Sequence, residues 1–192
     1  LHVPKNWFES YTELWLNWSA QIVFLEDMIV LSQKLENTFI VLRYKTLEWI
    51  GNEYFKKIFD KIHHCENIIL SNNYEEGYYS YKLCAHADLI IAKATSIADE
   101  CLSKEIPVLF YEYTHNTEDI LLNIPNYLPL ELICHNFEDL YQKSKSILFF
   151  NSSKWREKIK ELNEKIYYVK EKKNIKKKII DDLEHQIVKM NY

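Results

Sequence analysis

The stretch ADLIIAKATSIADECLSKEIPVLFYE, residues 87–112, decides the fold class. It opens with an apolar run, Asp88–Ala92, continues through a helical segment that begins near Thr95 or Ser96, and closes with a second apolar run, Pro107–Tyr111. Short runs rich in Ile, Val and aromatic residues indicate buried strands. The stretch therefore predicts a β–α–β unit, in which a right-handed crossover joins two parallel strands.

The same alternation of strand and helix extends in both directions along the chain. A long helical pattern at 11–35 comes first, and the last part of the chain, from Ser152, is helical and charged. The other predicted strands are 38–43, 67–70 and 131–134, and the other predicted helices are 52–63, 78–86, 137–149 and 177–190. We therefore predict an α/β fold with a Rossmann-like parallel sheet flanked by helices, in a domain of residues 1–151, and a C-terminal helical extension, 152–192, that packs on it.

Composition excludes several function classes. The chain has 192 residues and a formal net charge of -4, so it lacks the basic excess that nucleic-acid binding usually requires. With 2 glycines, it cannot build a GxGxxG or Walker A phosphate loop. A phosphate bound by this chain must therefore be held by a helix N-terminus or by side chains.

The cysteines and the chain start bear on location. Four cysteines occur without any CxxC pair, each in or beside an apolar run, and this predicts reduced thiols in a cytoplasmic protein. His63 and His64 precede Cys65 but lack the second ligand pair of a structural zinc site, so we predict no metal site. We find no signal peptide and no apolar run long enough to span a bilayer. The chain begins with Leu1 rather than Met, and we expect it to be a fragment with further sequence upstream.

The helix start after the third strand is the candidate binding site. Ligands of parallel α/β sheets bind beyond the carboxyl ends of the strands, where a helix N-terminus presents open N–H groups to phosphate. Thr95 and Ser96 can cap the helix and donate hydroxyl hydrogen bonds, and Lys93 can add a positive charge. The alternative is purely structural, because Ser96 with Asp99 satisfies the pattern of a capping box.

The segment also resembles the donor-binding motif of GT-B glycosyltransferases that build surface polysaccharides and teichoic-acid-type polymers, including the CDP-glycerol glycerophosphotransferase-like group. The similar features are the strand that Asp88 opens, the pair Thr95-Ser96, an acid in the following helix and the PVLFY strand at 107–111. Upstream, VLRYK (Val41–Lys45) supplies the basic turn that follows a strand in that family, but without the family's histidine. The resemblance covers about residues 10–150.

The resemblance implies a role for each matching residue. Thr95 and Ser96 would hold the donor diphosphate, and Asp99 or Glu100 would contact the ribose or the sugar. Basic side chains at the end of the first strand, those of Arg43 and Lys45, would neutralise phosphate charge. The missing histidine leaves the donor's identity open.

Whole-protein expectations follow from the same resemblance. The chain would be the donor-binding half of a transferase of bacterial capsule, lipopolysaccharide or teichoic-type biosynthesis, with a nucleotide-sugar or nucleotide-alditol as substrate and no cofactor. The acceptor domain, N-terminal and absent here, would supply the catalytic base, so we assign no catalytic residue in this chain. The full-length enzyme would be cytoplasmic or peripherally associated with the inner face of the membrane.

Three further residues near the predicted sheet edges are candidates for lining the pocket, namely His86, Glu112 and His115. Two other functions stay open at this point. One is a different enzyme on the same half-fold, such as a sugar-nucleotide epimerase. The other is a non-enzymatic α/β interaction domain, in which Thr95, Ser96 and Asp99 would serve only as capping residues.

Overall fold

The protein has the predicted α/β architecture. A computed structural model describes residues 18–43, 51–71, 78–92, 95–113 and 128–166. Parallel strands flanked by helices are present, and the region from Ser152 to Ile166 is helical as expected. The fold class predicted from the sequence is therefore confirmed.

The strands form two parallel ladders among the described residues. One has the order β1-β2, with Val41 opposite Ile69, and the other has the order β3-β4-β5, with Ile90 opposite Val108. The bounds are β1 Ile40–Arg43, β2 Ile68–Ser71, β3 Ile90–Ala92, β4 Val108–Tyr111 and β5 Ile133–Cys134.

From α1 to β4 the helices alternate with the strands, and α5 and α6 both follow β5. Their bounds are α1 Trp18–Lys34, α2 Lys56–His63, α3 Tyr79–Ala85, α4 Ser96–Ser103, α5 Phe137–Lys145 and α6 Ser152–Ile166. Two single 3₁₀ turns, Glu53–Phe55 and Leu130–Leu132, precede α2 and β5.

Strand β1 begins two residues later than predicted, for a local reason. Asn37, three residues beyond the last residue of α1, has a φ of 58°, the left-handed conformation that Asn tolerates in turns. The Thr38 hydroxyl then donates to the carbonyl of Leu35 at 2.7 Å. Both features hold the chain in the turn, so the extended conformation starts at Ile40.

Both ladders contribute to one hydrophobic cluster, which also includes α1, α2 and α5. Leu42 and Ile68 pack there from the first ladder, and Leu109 and Tyr111 pack there from the second. A second cluster fills the other face of β4, where Phe110 meets residues of α4 and α6. Every residue of β4 is buried, as expected for a strand covered on both faces.

The far face of the β1–β2 ladder differs from that expectation. Val41 is 42% exposed and its partner Ile69 is 49% exposed, although both are apolar. Among the described residues, this face of the ladder is therefore less completely covered than the faces of β4. The physical reason is that β1 and β2 pack one face on the core, while α3, the helix that follows β2, contributes no buried residue.

Helix α5 is shorter than the predicted 137–149, because the chain changes to a wide π-helical turn, Ser146–Phe150. The Ser146 hydroxyl accepts from Trp155 Nε1 at 3.1 Å and from Asn151 Nδ2 at 3.2 Å, and the Asn151 N–H donates to the Ser146 carbonyl at 2.8 Å. These bonds join the end of α5 to α6. Helix α6 then buries Ile159 and Leu162. The predicted helix at 177–190 lies outside the described residues.

Within the described ranges, no helix combines the length and the apolar character needed to cross a bilayer.

Candidate functional site

Helix α4 begins beyond the carboxyl end of β3, where the sequence predicted it. Thr95 is extended (φ −144°, ψ 141°) and its Oγ1 accepts a hydrogen bond from the N–H of Ala98 at 3.3 Å, so Thr95 is the N-cap. Ala98 and Leu102 are fully buried and anchor the helix against the cluster that contains Phe110. The cap and these two side chains fix the helix start at the edge of the sheet.

The residue at which α4 begins decides which of two hydroxyl residues, Thr95 or Ser96, caps the helix. Because Thr95 is the cap, Ser96 is the first helical residue and Ala98 is the third. A capping box would need Glu or Gln at that third position, and alanine has no side chain that could reach back. The interpretation of Ser96 with Asp99 as the capping box is therefore wrong. Ser96 is exposed, and its hydroxyl is not needed to cap the helix.

The start of α4 carries the positive partial charge that attracts an anion. The N–H groups of Ser96 and Ile97 precede the first intrahelical hydrogen bond and carry part of the positive end of the dipole. The first three helical residues, Ser96 to Ala98, include no acid, and Asp99 follows at the fourth position, half-buried. An anion at such an exposed terminus gains about 0.3–1 kcal/mol, so side chains must contribute the rest of any useful affinity.

Arg43 lies at the carboxyl end of β1, exposed, and contacts the start of α3. Its Nε donates to Ser80 Oγ at 3.0 Å, and its guanidinium carbon lies 5.9 Å from the centre of the Tyr79 ring. Ser80 is not among the residues that the sequence predicted for the site. No local pattern could have found this partner, because 37 positions separate it from Arg43.

Glu100, one turn into α4, is also bound to α3. The Tyr81 hydroxyl donates to Glu100 Oε1 at 3.2 Å, and this hydrogen bond together with the carboxylate's charge raises the pKa of Tyr81. Ser80 and Tyr81 are neighbours, so α3 connects Arg43 with Glu100. The structure thus attaches two of the predicted site residues to one short helix.

Ser71, at the end of β2, is a polar residue that the sequence analysis missed. It is the register partner of Arg43 in the β1–β2 ladder. It is 6% exposed, and in the described part of the chain its hydroxyl has no hydrogen-bond partner. Only its position at a strand end could have drawn attention to it.

The candidate pocket-lining residues lie in different places. Glu112 follows β4 and is fully buried, and its N–H donates to the Cys134 carbonyl at 2.8 Å. His86 is the C-cap residue of α3, exposed. Helix α3 runs back from the carboxyl end of β2 toward the start of β3. His86 therefore lies near the amino ends of the strands, whereas Thr95 lies near their carboxyl ends. Lys45, Lys93 and His115 lie outside the described residues, so their roles stay predictions.

Buried tyrosines attach α1 to the carboxyl end of β4. Tyr111 donates to Asp27 Oδ2 at 2.5 Å, and the Tyr113 hydroxyl accepts from Gln21 Nε2 at 3.1 Å. Burial raises the pKa of Tyr113 to about 12. Burial also raises the pKa of Tyr111, with a further contribution from the hydrogen bond to Asp27. These contacts make this part of the sheet edge a packed structural element.

A cavity of about 550 Å³ lies apart from these residues, in an open groove between α1 and α2. Its lining includes Ile29, Asp60 and His64, and the His64 Nδ1 lies 2.6 Å from the Asp60 carbonyl oxygen. His64 thus interacts with the end of its own helix, as basic residues there usually do. No cluster of three or more His, Cys, Asp or Glu side chains suited to a metal ion occurs in the ranges that the structure describes.

Comparison with known proteins does not add a family. No protein-family model, curated protein or solved structure matches this chain. The residues at the carboxyl edge of the strands are therefore the guide to function.

Proposed function

We propose that this chain binds a nucleotide-activated sugar or alditol and is the donor-binding half of a glycosyltransferase of bacterial surface-carbohydrate synthesis. One observation carries the proposal, namely that helix α4 starts at the carboxyl end of a parallel strand with exposed hydroxyl residues at its N-cap and at its first helical position. Parallel α/β sheets bind ligands at this edge. The specific transferase class comes from the sequence resemblance.

The donor diphosphate would occupy the start of α4. Its oxygens would accept from the open N–H groups of Ser96 and Ile97 and from the Ser96 hydroxyl. The Thr95 oxygen already accepts from Ala98, but its hydroxyl hydrogen is free to donate to a ligand. The absence of acids from the first three helical positions supports an anion at this end of the helix.

Two charged side chains complete the proposed site. Arg43 is exposed at the end of β1, and the hydrogen bond from its Nε to Ser80 orients the guanidinium. It would neutralise phosphate charge, and it suits this task because the guanidinium is planar and always charged. The Glu100 carboxylate, oriented by Tyr81, would accept hydrogen bonds from hydroxyls of the ribose or the sugar.

The chemistry of this half would be leaving-group stabilisation. During displacement at the activated carbon or phosphorus, negative charge grows on the departing nucleotide diphosphate. A helix dipole, hydroxyl donors and an arginine stabilise that charge without reorganising. The base that activates the acceptor would come from the acceptor domain.

A second candidate function is a non-enzymatic interaction domain. The exposed apolar side chains on the far face of β1–β2 favour it, since Phe39 is 71% exposed beside Val41 and Ile69. Under this alternative, Thr95 serves only as a cap, and nucleotides have no effect on the protein.

Thermal unfolding with CMP, CDP, UDP, GDP and ADP tests the proposal. A ligand that binds only the folded state at 100-fold excess over its Kd stabilises by about 2.7 kcal/mol, which corresponds to a rise in Tm of roughly 5–11 °C in a chain of this size. We expect one diphosphate to raise the Tm, and Ser96→Ala and Arg43→Gln to reduce that rise.

Asn136→Ala is the matched control. Asn136 caps α5, which also follows a parallel strand, but acids Glu138 and Asp139 occupy its second and third helical positions, nearer to the helix start than Asp99 at the fourth position of α4, and would repel an anion. This variant should lower the basal Tm and leave the nucleotide shift unchanged. If all five nucleotides leave the Tm of the parent chain unchanged, the donor-binding proposal fails for this chain, and the interaction-domain alternative takes its place.

A further inference from the structure

The turn between α5 and α6 presents two adjacent aromatic side chains to solvent. Phe149 is 47% exposed and Phe150 is 69% exposed, and they are the last two residues of the π-helical turn that follows α5. The turn itself is anchored, because Ile147 is 3% exposed in the hydrophobic cluster and the Ser146 hydroxyl accepts from Trp155 Nε1. The anchored turn therefore keeps two large apolar surfaces in water, a feature typical of interaction sites.

Positive charge surrounds these two rings. Residues 140–156 include four lysines and arginines and no aspartate or glutamate, although the formal net charge of the chain is -4. Lys145 Nζ lies 5.7 Å from the centre of the Phe150 ring and 5.6 Å from the centre of the Tyr141 ring. Lys34, the last residue of α1, adds a further charge, since its Nζ lies 4.9 Å from the centre of the Tyr141 ring. The turn is thus locally positive in a chain that is negative as a whole.

Most of these cations are available to an outside partner. Lys143 is paired with Asp139 at 2.9 Å, but Lys145, Lys154 and Arg156 form no ion pair with another described residue. Lys154 and Arg156 are exposed near the start of α6. A lysine above an aromatic ring keeps its charged end in water while its stem covers apolar surface. The turn therefore offers both apolar contact and charge complementarity to an anionic partner.

We propose that this turn docks on the surface of an anionic lipid bilayer. Phe149 and Phe150 enter the boundary between headgroups and acyl chains, and the cations around them contact lipid phosphates. The juxtaposition of two exposed rings with basic side chains on one anchored turn carries the inference. It does not depend on the proposed donor binding.

A bilayer suits this surface better than a nucleic acid or a folded protein. A nucleic acid stacks its bases on open ring faces, but Lys145 already lies over the Phe150 ring. A protein segment needs a groove, and neither ring lines the open groove between α1 and α2. Acyl chains are fluid and conform to any apolar shape that enters them, so they require only exposed apolar area beside positive charge.

Charge and apolar area each have an expected contribution to binding. A Lys or Arg beside an anionic bilayer strengthens binding about fivefold. This attraction fades as salt shortens the screening length from about 10 Å at 0.1 M to about 3 Å at 1 M. A Phe ring that leaves water strengthens binding at least about tenfold. Variants of each kind can therefore be told apart by the size of their loss.

Sedimentation of the full chain with lipid vesicles tests the proposal. One set of vesicles contains phosphatidylcholine alone, and the other contains equal parts of phosphatidylcholine and anionic phosphatidylglycerol. We expect binding to the anionic vesicles to be at least about tenfold tighter, and most of this difference to disappear when salt is raised from about 0.1 M to about 1 M. No nucleotide is present, so the result is separate from that of the donor-binding test.

The aromatic pair is tested by combining Phe149→Ser with Phe150→Ser. This double variant should bind the anionic vesicles at least about tenfold more weakly than the parent chain, because the apolar contact is lost. Phe39→Ser is the matched control, since Phe39 lies outside the turn and is 71% exposed. It should bind like the parent chain.

The basic side chains are tested by combining Lys154→Gln with Arg156→Gln, which keeps both rings. We expect roughly twenty-fold weaker binding, since two cations are removed. Lys56→Gln combined with Lys57→Gln removes two exposed cations of α2 and is the matched control. It should weaken binding by less than about twofold, because charges away from the contact are screened.

Three results would overturn the proposal. The first is a parent chain that binds neutral and anionic vesicles equally, or neither of them. The second is a pair of double variants that bind like the parent chain, or controls that lose as much binding as the double variants do. The third is tighter binding to single-stranded DNA than to vesicles, weakened by the same four substitutions, which would assign the turn to a nucleic acid instead.

Discussion

Replacing Thr95 by alanine separates the capping role from the binding role at the start of α4. The change removes the oxygen that accepts from the Ala98 N–H. Loss of a Thr cap costs about 1 kcal/mol, which is roughly 2–4 °C in Tm for a chain of this size. Ser96→Ala should change the unfolding free energy by less than about 0.5 kcal/mol, because Ser96 is exposed and alanine is the better helix former.

Urea unfolding followed by circular dichroism measures both variants under one set of conditions. Thr95→Ser provides the matched control, since a serine hydroxyl keeps the cap and should lose little stability. The order we expect, from most to least destabilised, is Thr95→Ala, Thr95→Ser and Ser96→Ala. An equal or larger loss for Ser96→Ala would refute the register, because Ser96 would then be the cap and Asp99 its reciprocal partner.

Two further substitutions test buried groups. Ser144 is fully buried in α5, and its hydroxyl has no hydrogen-bond partner within the described residues. Ser144→Ala should therefore raise the unfolding free energy, measured in urea melts, by about 1 kcal/mol. A loss of stability would contradict this prediction. Burial raises the pKa of Tyr113 from 10.0 to about 12, so the neutral phenol stabilises the fold below pH 10 and that stability is lost as pH rises toward 12. Between pH 10 and 12, Tyr113→Phe should reduce by about one the difference in bound protons between the folded and unfolded states. If the unfolding free energy keeps the same slope against pH in this variant, Tyr113 is not the source of the slope.

The sequence was sufficient for the local features of the β–α–β stretch. The strand predicted at Pro107–Tyr111 is Val108–Tyr111, and the helix predicted to begin near Thr95 or Ser96 begins at Ser96. These features depend on residues within a few positions of one another. An apolar run, a capping hydroxyl and the lack of an N–H in proline act locally, so they can be read from a single chain.

Contacts between distant positions could not be read in this way. The sequence places Arg43 at a strand end, but its contact with Ser80 depends on how α3 returns along the sheet. The exposure of Val41 depends on what covers its face, and an apolar run alone cannot reveal that. The sequence therefore predicts the α4 part of the candidate site, where the interactions are local. It does not predict the contacts that form where separate elements meet.

The wide turn at Ser146–Phe150 determines how a deletion between α5 and α6 would affect the packing of α6. Successive residues of a regular helix are rotated by about 100°. Shortening this turn by one residue would make α5 and α6 more nearly continuous and would rotate α6 by about that angle. Ile159 and Leu162 would then leave the hydrophobic cluster, and Trp155 would leave the Ser146 hydroxyl. The number of residues between the two helices thus sets the phase of α6 relative to α5.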